Sequence, residues 1–568
     1  MRRITAGICL VAGVVSSGVP PALSEDAVQV ESALIDQATL PDAIDSKGAR
    51  PKADPSVISP AVDALPPPLL PLAAPPSLAL PDAPSQVRIH ELRPLTLEEA
   101  LQLAEVNSPQ LKAAASRVDQ AKSGLRAAIA AWYPTVDLSA SGLPEYFKSY
   151  SYRNPDFVTN NETYGRQWRV NGSLQVSWDL INPARVPQIA AARDRFERAG
   201  DSYLIALRDL RLEVQTAYFA LQQADEGVRI GQDSVKASLV SYRDARARFN
   251  AGVNTKLDVL EAETQLARDR NILTTNRRDQ ETQRRNLARV LGLPQDVTPT
   301  AATPARPLGL WEPTLQESIV AAYNYSEELD QLILDISINN SQANASLAAV
   351  QPVVRFVNST SASRTEGQNG QTSRSDIDMG DFTYGVQNST ALTASWRLFD
   401  GGRARAEYRR SKQAAEESRL NFARTRDQIR LQVERSFLGL RAAIQNIDTT
   451  ATEVLSSQES LRLSQLRVQA GVGVQREVVN SQRDLTQAEL KYARALNDYN
   501  TNLVTLQRRT GLDALIACNA VSLTGTKPEP EQEPIPIEPT PLKTACPSVA
   551  TASSSVNQTE TSPVQPLW

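Results

Sequence analysis

The chain has 568 residues, and its 60 basic and 64 acidic side chains nearly cancel. That balance excludes the basic surplus of a nucleic-acid binder, and 41% hydrophobic residues are too many for a chain disordered throughout. A single histidine, His90, with no GxSxG, HExxH or P-loop pattern, offers no catalytic constellation, and no cofactor is implied.

Residues 1–24 read as an export signal: Arg2 and Arg3, an apolar run over 4–19, then Ala22-Leu23-Ser24 as a small-residue cleavage site. The run is shorter than the ~20 residues of a membrane span. Cys9 lies inside it after Ala6-Gly7-Ile8, a poor match for a lipid-attachment site. No later segment is apolar enough to cross a bilayer as a helix, so membrane residence requires a β-barrel. Residues 25–92 form a proline-rich leader with twelve prolines between Pro41 and Pro84. The expectation there is an extended, disordered arm that adds nothing to a core.

A duplication follows. Thr96-Leu97-Glu98-Glu99-Ala100 aligns with Thr314-Leu315-Gln316-Glu317-Ser318, and Trp178-Asp179-Leu180 with Trp396-Arg397-Leu398, both at an offset of 218. Further on, Ala251-Gly252-Val253 aligns with Ala470-Gly471-Val472 at an offset of 219. The copies are placed at 93–293 and 310–513, each reading helix, strand, strand, long helix, long helix. Residues 168–180 alternate: Trp168, Val170, Gly172, Leu174, Val176, Trp178 and Leu180 on one face, Arg169, Asn171, Ser173, Gln175, Ser177 and Asp179 on the other. Val136, Leu138 and Ala140 form the partner pattern. In copy two, 384–398 alternates more weakly and 352–362 most weakly. Residues 142–165 and 363–381 are expected to be polar loops. Trp132, Tyr133, Trp168, Trp178 and Trp396 fall near strand ends, as an interfacial girdle does. Four strands cannot close a barrel, so chains must share one.

From Leu207 a heptad places Leu207, Val214, Leu221, Val228, Val235, Tyr242 and Phe249 at a, with small residues such as Ala217, Gly231 and Ala245 at d. Copy two repeats it with Val433, Leu440, Ile447, Val454, Leu461 and Val468. A pure coiled-coil scaffold of the envelope is the alternative. A diffusion porin fits less well, being nearly all strand. The tail, 518–568, is rich in proline, serine and threonine. It holds Cys518 and Cys546, an exported pair expected to form a structural disulfide, without metal-site spacing.

Several motifs recur in duplicate and in order. They are Leu95-Thr96-Leu97-Glu98-Glu99-Ala100 with Asn107-Ser108-Pro109; Tyr133-Pro134 opening a strand; Trp396-Arg397-Leu398-Phe399-Asp400-Gly401-Gly402 closing one; and the two Ala-Gly-Val tips. With them the chain resembles the TolC-like outer membrane efflux proteins over nearly all of 94–513. The resemblance implies an α+β membrane protein, a homotrimer whose twelve-stranded outer-membrane β-barrel continues into a long periplasmic α-helical coiled-coil barrel. It implies a passive exit duct of a tripartite efflux pump or a type I secretion system. The duct stands in outer-membrane lipid and reaches into the periplasm, where a periplasmic adaptor (membrane fusion) protein and an inner-membrane RND or ABC pump recruit it. Nucleic acid is no partner. Gly252, Val253, Gly471 and Val472 become adaptor-docking tips, and Asp258, Glu261, Glu477 and Asn480 the gate or constriction. Gly473 stands where some members have arginine, and Asn480 where they have a second acidic ring; Arg476 and Glu261 are the replacements at hand. On the residues alone, Glu477 also reads as a solvated helix charge.

Overall fold

The computed structural model describes residues 65–74, 91–153, 161–371, 382–513 and 515–516. Residues 1–24, expected to be an export signal, His90, and Cys518 and Cys546 with their expected disulfide lie outside the described residues. After a short strand, β1 (Glu91–Leu95), Thr96 caps α1 (Leu97–Asn107): its hydroxyl accepts from the Glu99 amide at 3.3 Å, and the Glu99 carboxylate accepts from the Thr96 amide at 2.8 Å. Ser108 caps α2 (Pro109–Ile129), with Pro109 where a missing N–H costs nothing. Two strands, β2 (Thr135–Arg153) and β3 (Asn161–Ile181), lead into α3 (Arg185–Asn250), a tip, α4 (Lys256–Leu291) and β4 (Val297–Ala301). The order then recurs: β5 (Leu310–Trp311), α5 (Leu315–Asn324), α6 (Glu327–Ala348), β6 (Val353–Gln371), β7 (Phe382–Ser395), α7 (Arg403–Gln469), α8 (Gln475–Thr510) and β8 (Leu515–Ile516). The Thr96 capping box is repeated by Thr314 and Glu317 at the head of α5.

The four long strands form one antiparallel sheet in the order β2-β3-β6-β7. Val136 faces Val176 and Leu138 faces Leu174 on one side. On the other side Thr135 meets Ser177 and Ser139 meets Ser173, each hydroxyl pair 2.7 Å apart. The weak alternation of copy two has a physical reason. Asn358, Thr360, Asn388 and Thr390 lie in register with Val176 and Leu174, but they satisfy one another: Asn358 donates to Thr390 at 2.7 Å and Asn388 to Thr360 at 2.6 Å.

The described parts of the expected loops at 142–165 and 363–381, residues 142–153, 161–165 and 363–371, are strand. β2 runs on to Arg153, β3 begins at Asn161, and β6 runs to Gln371. Polar composition misleads here because cross-strand contacts carry the pairing. Tyr146 packs against Trp168 with centroids 4.9 Å apart and ring planes tilted by 48°, and the Arg169 guanidinium lies 4.3 Å over Phe147. The opposite departure occurs at the end of copy two, where β7 stops at Ser395, the residue opposite the first residue of β6.

α3 has 66 residues, about 100 Å at 1.5 Å per residue, and α7 has 67. Leu207, Val214, Leu221 and Val228 are buried, whereas Val235 and Tyr242 are half-buried and Phe249 is exposed, so the seam opens toward the tip. At Gly231 an added Cβ would lie 3.2 Å from Leu273 Cα, the close approach that a small d residue permits. Val433, Leu440, Ile447, Val454 and Val468 are buried in copy two, and Leu461 is half-buried.

The leader departs most from expectation. Residues 67–72 form a 3-10 turn (Pro67–Leu72), closed by Leu69 N–H to Pro66 O at 2.9 Å and Ala73 N–H to Leu70 O at 3.1 Å. Leu65, Leu69 and Leu72 enter the core with Leu95, Leu103, Leu207 and Leu291. Asn107 fastens the turn, donating to Leu72 O at 2.9 Å and accepting from Ala74 N–H at 3.0 Å. The prolines set the turn and the three leucines supply apolar burial of about 1.5–3 kcal/mol each. An arm without a role in the core is therefore corrected to a docked strap over 65–74.

Ion pairs built on two buried arginines tie copy one to copy two. Arg208 on α3 pairs with Glu327 on α6, while Arg508 on α8 reaches Asp209 at 2.7 Å and Glu328 at 2.8 Å. Burial pushes the Glu327 carboxyl up to about 7, against the opposing pull of Arg208.

Candidate functional site

The two helix-hairpin tips lie side by side. Each turns on a glycine with positive φ, Gly252 at +76° and Gly471 at +73°. An added Cβ would touch nothing within 4 Å at either, so backbone conformation rather than lack of room requires glycine. Gly473 differs: a Cβ there would lie 2.9 Å from that of Arg467, because the Val472 and Gly473 amides both donate to Arg467 O at 3.0 Å. Val253 and Val472 project outward, 74% and 70% exposed.

The four gate candidates have separate surroundings. Asp258 closes a capping box with Thr255, accepting from the Thr255 amide at 3.0 Å and its hydroxyl at 2.8 Å. The equivalent cap in copy two is Val474, which has no such oxygen, so Glu477 reaches instead toward Arg467 at 3.8 Å. Glu261 is bound by Arg476, whose Nε and Nη2 donate to Oε1 at 2.9 and 2.6 Å. That hydrogen bond and the charge of Glu261 raise the Arg476 guanidinium further above its usual range. Asn480, at the position equivalent to Glu261, is exposed.

Three further side chains join the tips and escape a reading of motifs. Arg248 in the last turn of α3 donates to Val468 O of α7 at 2.7 Å, satisfying a carbonyl at that helix's end. Gln475 donates to Ser241 at 2.6 Å. Arg248 and Arg467 are equivalent at the 219 offset (248 + 219 = 467), the one signal that singles them out.

The base of the sheet is the second region of interest. The Trp178 indole donates to Trp132 O at 2.9 Å and that of Trp396 to Val350 O at 3.1 Å. Arg185 lies 4.2 Å over the Trp132 ring. Ten residues along β3 separate Trp168 from Trp178, about 33 Å at 3.3 Å per residue. Among the described residues no helix is long and apolar enough to cross a membrane, and no group of three acidic, histidine or cysteine side chains could hold a metal.

A duplicated unit that couples an amphipathic antiparallel sheet to paired long helix hairpins is the fold of a TolC-like channel. The model of the family described as outer membrane efflux protein matches residues 100–293 and 319–512, and the chain belongs to that family. It is an outer-membrane exit duct that extends into the periplasm. It is 25% identical to protein CyaE of Bordetella pertussis over 463 residues, 79% of this chain and 89% of CyaE. It is 22% identical to outer membrane protein TolC of Escherichia coli over 497 residues, 81% of this chain and 94% of TolC. In structure it is similar to the outer membrane protein VceC of Vibrio cholerae, with a TM-score of 0.59 and 16% identity over 73% of this chain and 96% of VceC.

Proposed function

We propose that three copies of the chain close one barrel, four strands from each and twelve in all, continued by a tube of their long helices. The observation that carries this reading is the pair of free sheet edges. Among the described residues β2 and β7 each lack a neighbour on one side, and the face bearing Val136, Leu138, Leu174 and Val176 is apolar across β2 and β3, while Asn358, Thr360, Asn388 and Thr390 on β6 and β7 satisfy one another. Free edges are not tolerated in lipid, and four strands are too few to close on themselves. The apolar band between Trp168 and Trp178, tilted by about 40°, matches the ~25 Å height of an outer-membrane barrel. The face bearing Ser173 and Ser177 then lines the lumen.

The tube receives cargo from a periplasmic adaptor and an inner-membrane pump of an efflux or type I secretion system. The exposed Val253 and Val472, beside Gly252 and Gly471, are the docking points. The Glu261–Arg476 link and Glu477 hold the gate between them; Asp258 supports it by starting α4, and Asn480 lines it as a neutral side chain. Detergent-extracted protein should sediment as a trimer and form channels in a planar bilayer. A stable, non-conducting monomer removes the shared barrel.

A further inference from the structure

The two hairpins of the sheet repeat in pairing register as well as in residue type. Asp137 lies opposite Gln175 in β2–β3, and Arg355 opposite Thr393 in β6–β7. Both members shift by the same 218 residues (137 + 218 = 355; 175 + 218 = 393). The two indole hydrogen bonds of Trp178 and Trp396 obey the same shift. Within the chain the hairpins meet once, at β3–β6, and there Asp179 faces Arg355 with Oδ1 2.5 Å from Nε.

The equivalent places on the free edges carry the opposite charges. Asp179 becomes Arg397, just past β7, and Arg355 becomes Asp137, on β2 (179 + 218 = 397; 355 − 218 = 137). Both are exposed, and among the described residues neither has a salt bridge. Asp400, the carboxylate that feels Arg397, already accepts from the Gly402 amide at 2.9 Å and the Ala404 amide at 2.7 Å. Trp396, Leu398 and Phe399 are 64%, 76% and 84% exposed, whereas β3 stays paired to β6 through Ile181.

Resting on the shared barrel, we propose that β7 pairs antiparallel with β2 of a second copy in the register of β3–β6. Arg397 then faces Asp137 of the partner subunit, and Ser395 faces Ser139 of the partner subunit. The first hairpin carries the acids and the second the bases, so each hairpin attracts the other kind along either edge. An edge-to-edge dimer through two β2 strands sets acid against acid, and one through two β7 strands sets base against base. Like charges directly opposite destabilise a strand pair. The charge pattern thus selects head-to-tail ring closure over a two-fold dimer.

The test uses full-length protein carrying Cys518→Ser and Cys546→Ser. Ser139→Cys with Ser395→Cys should give inter-chain disulfides and a covalent trimer on a denaturing gel, and Ser141→Cys with Ser395→Cys should not. Separately, Asp137→Arg or Arg397→Asp should each lower the yield of SDS-resistant trimer, and the two together should restore it. In a control, Asp179→Arg should be rescued by Arg355→Asp and not by Arg397→Asp. Cross-linking only in the shifted pair, or no recovery in the double charge swap, overturns the register while leaving a trimer standing. An unsubstituted chain that is monomeric overturns the shared barrel itself.

Discussion

Glu261 on α4 and Arg476 on α8 join the two hairpins of one chain near their tips, the carboxylate Oε1 accepting from Nη2 at 2.6 Å and from Nε at 2.9 Å. The pair spans hairpins that must separate if the tube is to widen. Arg476→Ala and Glu261→Gln should each raise resting single-channel conductance. The charge-swapped double variant, Glu261→Arg with Arg476→Glu, should return it toward the wild-type level. Unchanged conductance in both single variants removes the link from the gate.

Asp258 and Glu477 occupy equivalent positions but should behave differently. Asp258→Ala opens the capping box and should cost about 1 kcal/mol in stability, with Thr255→Ala giving a similar loss. Glu477→Ala leaves helix capping untouched and should reduce cation preference and block by multivalent cations, read from reversal potentials. Wild-type selectivity in the Glu477 variant returns that residue to a solvated helix charge.

The two faces of β3 give a sharper test of membrane placement. Leu174→Arg or Val176→Arg should impair assembly by ~2–4 kcal/mol near the midplane. Ser173→Arg and Ser177→Arg should assemble and alter conductance. Equal damage from both sets contradicts a lipid-facing side defined by Leu174.

The strap divides the leader into parts with different expected roles. Leu69→Ala, at 2% exposure, should destabilise the helical core by about 2–5 kcal/mol. Deleting residues 25–64 should leave thermal stability unchanged, and extending the deletion through residue 74 should not. A chain lacking 65–74 with wild-type stability contradicts the docking of Leu69 and Leu72.

A pH dependence follows from Glu327, whose carboxyl burial raises from 4.5 to about 7. A raised carboxyl binds its proton more tightly in the folded chain than in the unfolded one. Its favourable contribution is therefore full below about 4.5 and is lost as pH rises through about 7, at most about 3 kcal/mol. Glu327→Gln should flatten the fall in melting temperature between pH 5 and pH 8 (on the order of that window). Burial also raises Asp269, with the same sign, so the difference between variant and wild type is the quantity to read. Parallel profiles contradict the assignment to Glu327.

Much of this fold is legible because its periodicities are long. Thirteen residues alternating from Trp168 to Leu180 announce β3, and the heptad from Leu207 announces α3. What escaped depends on contacts between distant segments. Polar residues such as Ser149 and Gly165 continue as strand because each lies opposite the other, a fact that hydropathy along one strand cannot carry. The strap is hidden because three leucines among prolines show no helical or strand period. At the tips, the copy alignment finds Asp258 and Glu477 as equals. Whether a carboxylate closes a capping box depends on the residue three places earlier, threonine in one copy and valine in the other.

The two open edges of the sheet, among the described residues, have a consequence for how the protein is made. Until a neighbour arrives, β2 and β7 each present a ladder of open amide and carbonyl groups beside apolar side chains such as Leu138 and Leu392, 81% and 69% exposed. A chain that folds this sheet before it reaches the membrane crosses water in that condition. Its arrival in the membrane is then a race between meeting other copies and being captured by an unrelated strand. The rate of the productive route rises with the concentration of new chains. Slow synthesis starves assembly, whereas a chaperone that covers the two edges lengthens the time available for it.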